Sequence, residues 1–246
     1  MKYFQFALSF LTIIPTHIEE EVKIDDLGRA AGWFPFVGAM IGTVVVLVRW
    51  GAELFVSPLI AAILAVVFWS MLTGGLHLDG LADCCDGMLA AATPERRLEI
   101  MKDPRLGTFG GAGLILHLML KVVLLSTLSG LSIVWGVALA TSLGRWIVLL
   151  AARQPQARPD GLGAGFASGL RWPIIFVAGV LPITFASLAG IRGLVSIVMV
   201  CLVGWIVFWV VRRRLNGMTG DVFGMLIELS EVIVLLVFAV RWPLAI

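Results

Sequence analysis

Charge is scarce in this sequence. Only 14% of its 246 residues are Asp, Glu, Lys or Arg, against ~25% in an ordinary soluble domain. Apolar residues stand in their place, at 60% of the chain against the usual ~45–50%. A soluble domain of this length cannot hide that much apolar surface in one core, so the soluble globular class is excluded. Cysteine is scarce too. Cys84 and Cys85 are adjacent and Cys201 falls inside a hydrophobic run. That excludes a disulfide framework, and none of the three has metal-ligand spacing, so they read as small apolar fillers. Long linkers, repeats and low-complexity tracts are missing. The expectation is a single membrane-embedded domain over residues 1–246, with two sizeable loops at 74–107 and 153–171.

The hydrophobic runs are about 20 residues long, the length that crosses ~30 Å of hydrocarbon at 1.5 Å per residue. Seven are expected: Ala30–Arg49, Leu54–Thr73, Thr108–Ser129, Leu131–Ala152, Trp172–Gly190, Gly193–Val211 and Val222–Val240. The first carries Pro35 and several glycines, which predicts a kink. Tyr3–Pro15 is apolar but too short to span, and one Lys with no small-residue cleavage site is a poor signal peptide. It is expected to be an interfacial or partly buried helix. The fold class is therefore all-α, a polytopic membrane protein.

A net charge of +2 says little about partners, but its distribution orients the chain. With the N-terminus cytoplasmic, the inner segments hold Lys2, Lys23, Arg29, Arg96, Arg97, Lys102, Arg105, Arg153, Arg158, Arg171, Arg212, Arg213 and Arg214. The outer side holds only Arg49, Arg192 and Arg241, which obeys the positive-inside rule; Lys121 and Arg145 fall within spans. Of the acidic residues, only Glu53 falls on the outer side.

The most informative segment is Thr73-Gly-Gly-Leu-His-Leu-Asp-Gly-Leu-Ala-Asp-Cys-Cys-Asp-Gly87. Asp79, Asp83 and Asp86 are spaced i, i+4, i+7, one stripe of a helix with neighbouring Cβ atoms ~5–6 Å apart. No Lys or Arg in the segment offsets them, so the stripe calls for a cation. Hard oxygen ligands of this kind favour Mg²⁺, which keeps waters and substrate phosphate oxygens in its shell. A solvated acidic face is the plainer alternative. Gly74, Gly75 and Gly80 beside the stripe allow close backbone approach to a ligand. His77 reads equally as ligand, base or satisfied interfacial residue.

Downstream, Lys102, Asp103 and Arg105 precede the Gly-rich entry Gly107-Thr-Phe-Gly-Gly-Ala-Gly113 to the third span. Basic side chains beside a helix N-terminus suit phosphate; a positive-inside anchor explains Arg96 and Arg97 as well. The second loop holds Gly161 and Gly163, a weak signal by itself. In the last inner segment, Asp221, Glu228 and Glu231 are spaced i, i+7, i+10 on one stripe, with both glutamates expected one to two turns inside the membrane. A carboxylate near mid-span costs ~2.5–3.5 kcal/mol on insertion scales, so residues placed there usually line a polar cavity. Arg145 is their expected partner. These features point to a Mg²⁺-dependent enzyme that moves a phosphate-linked group.

The chain resembles the cobalamin synthase (adenosylcobinamide-GDP ribazoletransferase) family. The resemblance rests on Gly74–Gly87, on Leu98-Glu-Ile-Met-Lys-Asp-Pro-Arg-Leu-Gly-Thr-Phe-Gly110, on Gly161-Leu-Gly, and on Thr219-Gly-Asp-Val-Phe-Gly with Glu228 and Glu231. Phe10-Leu-Thr-Ile-Ile-Pro15 and Phe34-Pro-Phe-Val-Gly38 look like it too. Cys84 and Pro104 stand where small polar residues are expected in relatives. The resemblance implies a late step of vitamin B12 assembly at a prokaryotic cytoplasmic membrane. The ribazole 3′-hydroxyl attacks the phosphorus nearest cobinamide and GMP leaves. Taken with the stripe, the resemblance implies that Asp79, Asp83 and Asp86 hold Mg²⁺ on the pyrophosphate. One of them, Asp86 first, or else His77, takes the hydroxyl proton. Lys102 and Arg105 neutralise phosphate, oriented by Asp103. Asp221, Glu228 and Glu231 either complete the metal site or bind the nucleoside side. The implied partners are a corrinoid-GDP, α-ribazole and membrane lipid, with no nucleic acid; a homo-oligomer or association with other corrinoid-assembly enzymes stays open. The competing readings are a lipid phosphotransferase with a CDP-alcohol donor, a cation- or proton-coupled transporter through Glu228, Glu231 and Arg145, and a regulatory scaffold. The scaffold leaves the Asp stripe unexplained.

Overall fold

The structure is a computed structural model that describes residues 1–17, 24–158 and 161–241. Lys23, Glu19, Glu20, Glu21 and Asp160, counted above among the inner charges, lie outside the described residues. Among the described residues twelve α-helices run α1 (Lys2–Leu11), α2 (Ile24–Ala30), α3 (Phe34–Glu53), α4 (Pro58–Leu72), α5 (Leu76–Leu89), α6 (Pro94–Ile100), α7 (Thr108–Thr127), α8 (Gly130–Ala152), α9 (Leu162–Gly169), α10 (Trp172–Leu188), α11 (Ile191–Arg214) and α12 (Gly220–Ala239). No strand is found among the described residues.

Five helices are long and apolar enough to cross a membrane alone: α3 with the turns before it, α7, α8, α11 and α12. The shorter α4 and α10 meet that test only when joined to a neighbouring helix bent away by 90° or 98°, which makes seven at most. The expected spans therefore coincide with helices. α8 and α12 are the most enclosed and form the centre, packed on each other and on α3 and α5. α7 and α11 lie outside and expose Ile115, Leu116, Met119, Val198, Leu202 and Trp205. Exposed apolar rows of this size belong against lipid.

Local sequence explains most of the boundaries. Pro58 and Pro173 sit in the first turns of α4 and α10, where the missing N–H has no intrahelical partner to lose. Thr93 and Thr219 cap α6 and α12, accepting from the Arg96 and Val222 N–H groups at 3.4 and 3.3 Å. The expected kink at Pro35 is not where the irregularity falls. Pro35 opens α3, and the break is a 3₁₀ turn at Ala31–Trp33 just before it.

The short helices gather at one end of the bundle. α1 packs on α2 and α3, α2 on α9, and α5 on α7 and α12. Ile13 N–H donates to the Leu72 carbonyl at 2.9 Å, tying the segment after α1 to the end of α4. Loop 74–107 thus carries α5 and α6, and loop 153–171 carries α9.

Candidate active site

The site is built on a right-angled turn. Gly74 and Gly75 have φ of +61° and +70°, a left-handed pair that side-chain-bearing residues adopt only under strain, and they swing the chain 90° from α4 into α5. α5 therefore runs at a right angle to α4. Its Gly80 meets the start of α12 so closely that a Cβ there would fall 2.6 Å from the Asp221 carbonyl oxygen. Gly224, on α12, faces His77 in the same way, with a Cβ 3.1 Å from the His77 Cα. These two glycines seat the carboxylates of α5 beside Asp221.

The three aspartates of the stripe do not share one environment. Asp79 is exposed, and Asp83 and Asp86 are half-buried. Asp83 is pushed up to about 7, first by burial, then by the negative charges of Asp79, Asp221 and Asp86, with Arg158 opposing. Arg158 stands 3.8 Å from Asp221 and donates to the Leu98 carbonyl at 2.9 Å. Asp86 is otherwise engaged: its two oxygens accept the Gly107 and Gly110 N–H groups, each at 2.8 Å. It caps the N-terminus of α7, where free N–H groups and the helix dipole favour an anion. A Cβ on Gly107 or Gly110 would collide with this carboxylate. Those glycines, read from sequence as a phosphate entry, make room for Asp86.

Other predicted residues separate from this cluster. Lys102 is exposed. Arg105 is exposed and clasps Asp103 through Nε at 2.9 Å and Nη2 at 2.6 Å, which pulls the Asp103 carboxyl down to about 2. Gly161 opens α9, and Gly163 lines the cavity described below.

Glu228 and Glu231 lie two and three turns along α12, about 12 and 16 Å from its start. There they join a buried ionic network. His117 Nε2 is 2.6 Å from Glu228, and Lys121 donates to Glu228 at 2.9 Å and to Glu231 at 2.6 Å. Arg145, fully buried on α8, pairs with Glu231 and also donates to the Thr141 carbonyl at 3.1 Å. The sequence expectation of an Arg145–glutamate pair holds. His117 and Lys121 were missed as members; the available signal was their i, i+4 spacing inside a span.

Between the cluster and the network lies a cavity of about 150 Å³, lined by helices α1, α2, α3, α5, α8, α9 and α12. Asp79, Asp221 and His77 are its polar lining; the rest is apolar or glycine. His77 is buried, and its Nδ1 has no hydrogen-bond partner.

Fold and site together define a multi-pass α-helical membrane protein with a carboxylate-rimmed pocket at one end of the bundle. Residues 3–239 match the cobalamin-5-phosphate synthase family, and the chain belongs to it. It is 36% identical over 244 residues to an adenosylcobinamide-GDP ribazoletransferase of Roseiflexus sp. strain RS-1, covering 97% of this chain and 89% of the relative. Relatives of the same name in Klebsiella pneumoniae strain 342 and Citrobacter koseri are 36% and 37% identical, each over 96% of this chain and 98% of their own length. No solved structure matches the chain.

Proposed function

We propose that this protein is an adenosylcobinamide-GDP ribazoletransferase that joins α-ribazole, or its 5′-phosphate, to adenosylcobinamide-GDP and releases GMP. The acceptor 3′-oxygen forms a bond to the phosphorus nearest cobinamide as the bridging P–O bond to GMP breaks, and the hydroxyl proton passes to a base. The observation that carries this reading is the pair Asp79 and Asp221 at the rim of the cavity, with the Asp83 carboxyl near enough to feel both charges, in a chain that matches the family over residues 3–239.

Mg²⁺ fits these residues as a shared ion. Among the described residues no three His, Cys, Asp or Glu side chains enclose a metal by themselves. Mg²⁺ seldom needs such a cage, since one or two carboxylates plus substrate phosphates hold it. Asp83, with Asp79 or Asp221, supplies that partial shell, and the surplus negative charge felt by Asp83 supports the assignment. When bound, the ion would neutralise charge on the pyrophosphate and on departing GMP. Asp86 supports the site by holding the start of α7 against α5, which leaves Asp83, Asp79 or His77 to take the proton. Arg105 would meet phosphate only by leaving Asp103. The one-ended gathering of exposed charge favours an enzyme facing the cytoplasm over a transporter.

The test is nucleotide release by the purified protein in lipid. GMP that forms only with adenosylcobinamide-GDP, α-ribazole and Mg²⁺ together, and disappears in Asp83→Asn, supports the assignment. Release of CMP from a CDP-alcohol donor would overturn it.

A further inference from the structure

The interior of the cavity looks unlike a phosphate or corrin site. Phe34 lies between Phe10 and Phe166, with ring centroids 5.8 and 5.7 Å away and planes only 11° and 8° apart. Phe223 meets Phe166 edge-on at 5.7 Å and 65°. Val148 and Ile227 are further apolar lining. All four rings are buried or nearly so, and each comes from a different helix: α1, α3, α9 and α12. Such a wall suits a flat, apolar guest that enters edge first and stacks in register. An apolar cavity of ~150 Å³ is known to take up a benzene ring. The volume here is about 150 Å³, so one ring of a fused bicycle fits inside while the other stays at the mouth.

We infer that this cavity is the seat of the acceptor's base, with the ribose at the Asp79–Asp221 rim. This rests on the ribazoletransferase reading and names the part of that site which selects the substrate. The alternative guest, guanine, carries several donors and acceptors on its edge. In a pocket lined by phenylalanines each would lose water without a partner, at ~1–3 kcal/mol apiece. A dimethylbenzimidazole joined to ribose has one free ring nitrogen and two methyl groups. The apolar lining matches the methyl groups. A base seated this way presents its sugar to the carboxylates, where the 3′-hydroxyl has to react. The cavity thus places the nucleophile as well as choosing it.

The experiment compares KM and kcat for two acceptors, the α-ribosides of dimethylbenzimidazole and benzimidazole, using the full-length protein in lipid vesicles with saturating donor and Mg²⁺. In the unmodified protein kcat/KM should fall on the order of tenfold with loss of the methyl groups, the scale of small apolar groups in a shaped pocket. Ile227→Phe, which fills the cavity, should raise the acceptor KM by roughly 10–100-fold while the donor KM stays put. Should Ile227→Phe fail to fold, Val148→Ala, which only adds space, should weaken the preference for the methylated base. Normal GMP release with unchanged base preference in Val148→Ala would overturn the inference and leave the transferase reading standing, as would a rise confined to the donor KM. No GMP from the unmodified protein with any acceptor would remove both.

Discussion

Removing Glu231 should damage this protein more than removing the arginine it pairs with. The network holds two carboxylates, Glu228 and Glu231, against two fixed cations, Lys121 and Arg145, all nearly or fully buried. Glu231→Gln leaves one positive charge in excess, and it falls on Arg145. That guanidinium then keeps only neutral acceptors, the Thr141 carbonyl and the new amide oxygen, and its Nε and Nη2 already lack partners. Breaking a buried pair from one side costs about 3–5 kcal/mol. For a chain of this size that corresponds to a fall in Tm of roughly 6–20 °C. Arg145→Met is milder, since Glu231 keeps Lys121 at 2.6 Å. The double variant restores charge balance and should melt above Glu231→Gln alone, with a coupling of about 1–3 kcal/mol in the cycle. Thermal unfolding of the four proteins in detergent, followed by loss of monodisperse protein, reads all of this. Equal melting temperatures for Glu231→Gln and the parent would refute the claim that this network holds α7, α8 and α12 together.

Further expectations concern the carboxylate cluster. The Asp83 carboxyl titrates near 7, well above its ordinary value of 3.8, so the anion that binds metal forms only as pH rises through about 7. At limiting Mg²⁺, turnover should climb through that range and lose about tenfold per unit below it as the proton competes with the ion, and a flat profile from pH 6 to 8 under those conditions would exclude Asp83 as a ligand. The same shift has the opposite sign for stability. The folded state disfavours the anion, so the penalty grows between pH 4 and 7 and is complete above 7. Asp83→Asn should therefore be inactive yet melt higher than the parent at pH 8 without Mg²⁺. Gly80→Ala puts a methyl group 2.6 Å from the Asp221 carbonyl. It should cost about 1–3 kcal/mol by overpacking, and a fully active Gly80→Ala would show that α5 need not touch α12. Asp86→Ala should loosen residues 102–110, at about 1–2 kcal/mol for a lost cap, seen as faster proteolysis at that loop. Unchanged cleavage there would deny Asp86 its capping role.

Much of the architecture was legible because the solvent imposes it. A segment that crosses hydrocarbon must be helical and about 20 residues long, so the runs and helices coincide. The helical stripe of Asp79, Asp83 and Asp86 was legible too, since the 3.6-residue period is local. The different fates of the three were not. Asp86 is engaged by the N–H groups of Gly107 and Gly110, more than twenty residues away. The same spacing therefore reads as three equal ligands until α7 is brought alongside. Arg105 reads as free for phosphate until its fork is seen to close on Asp103. The partnership of Glu228 with His117 and Lys121 bridges over 100 residues, and a buried charge in a span announces only that some partner exists.

The sequence by itself determined the class of solvent, the helices, the gathering of exposed charge toward one set of loops and the family. Each depends on composition, local period or a contiguous motif. Tertiary structure decided which carboxylates meet, which are already occupied, and that Phe10, Phe34, Phe166 and Phe223 form one wall. Those outcomes depend on how α1, α3, α5, α9 and α12 cross. Crossings are set by close contacts such as Gly80 against Asp221 and Gly224 against His77, and a linear pattern carries no record of which distant backbone a missing side chain admits.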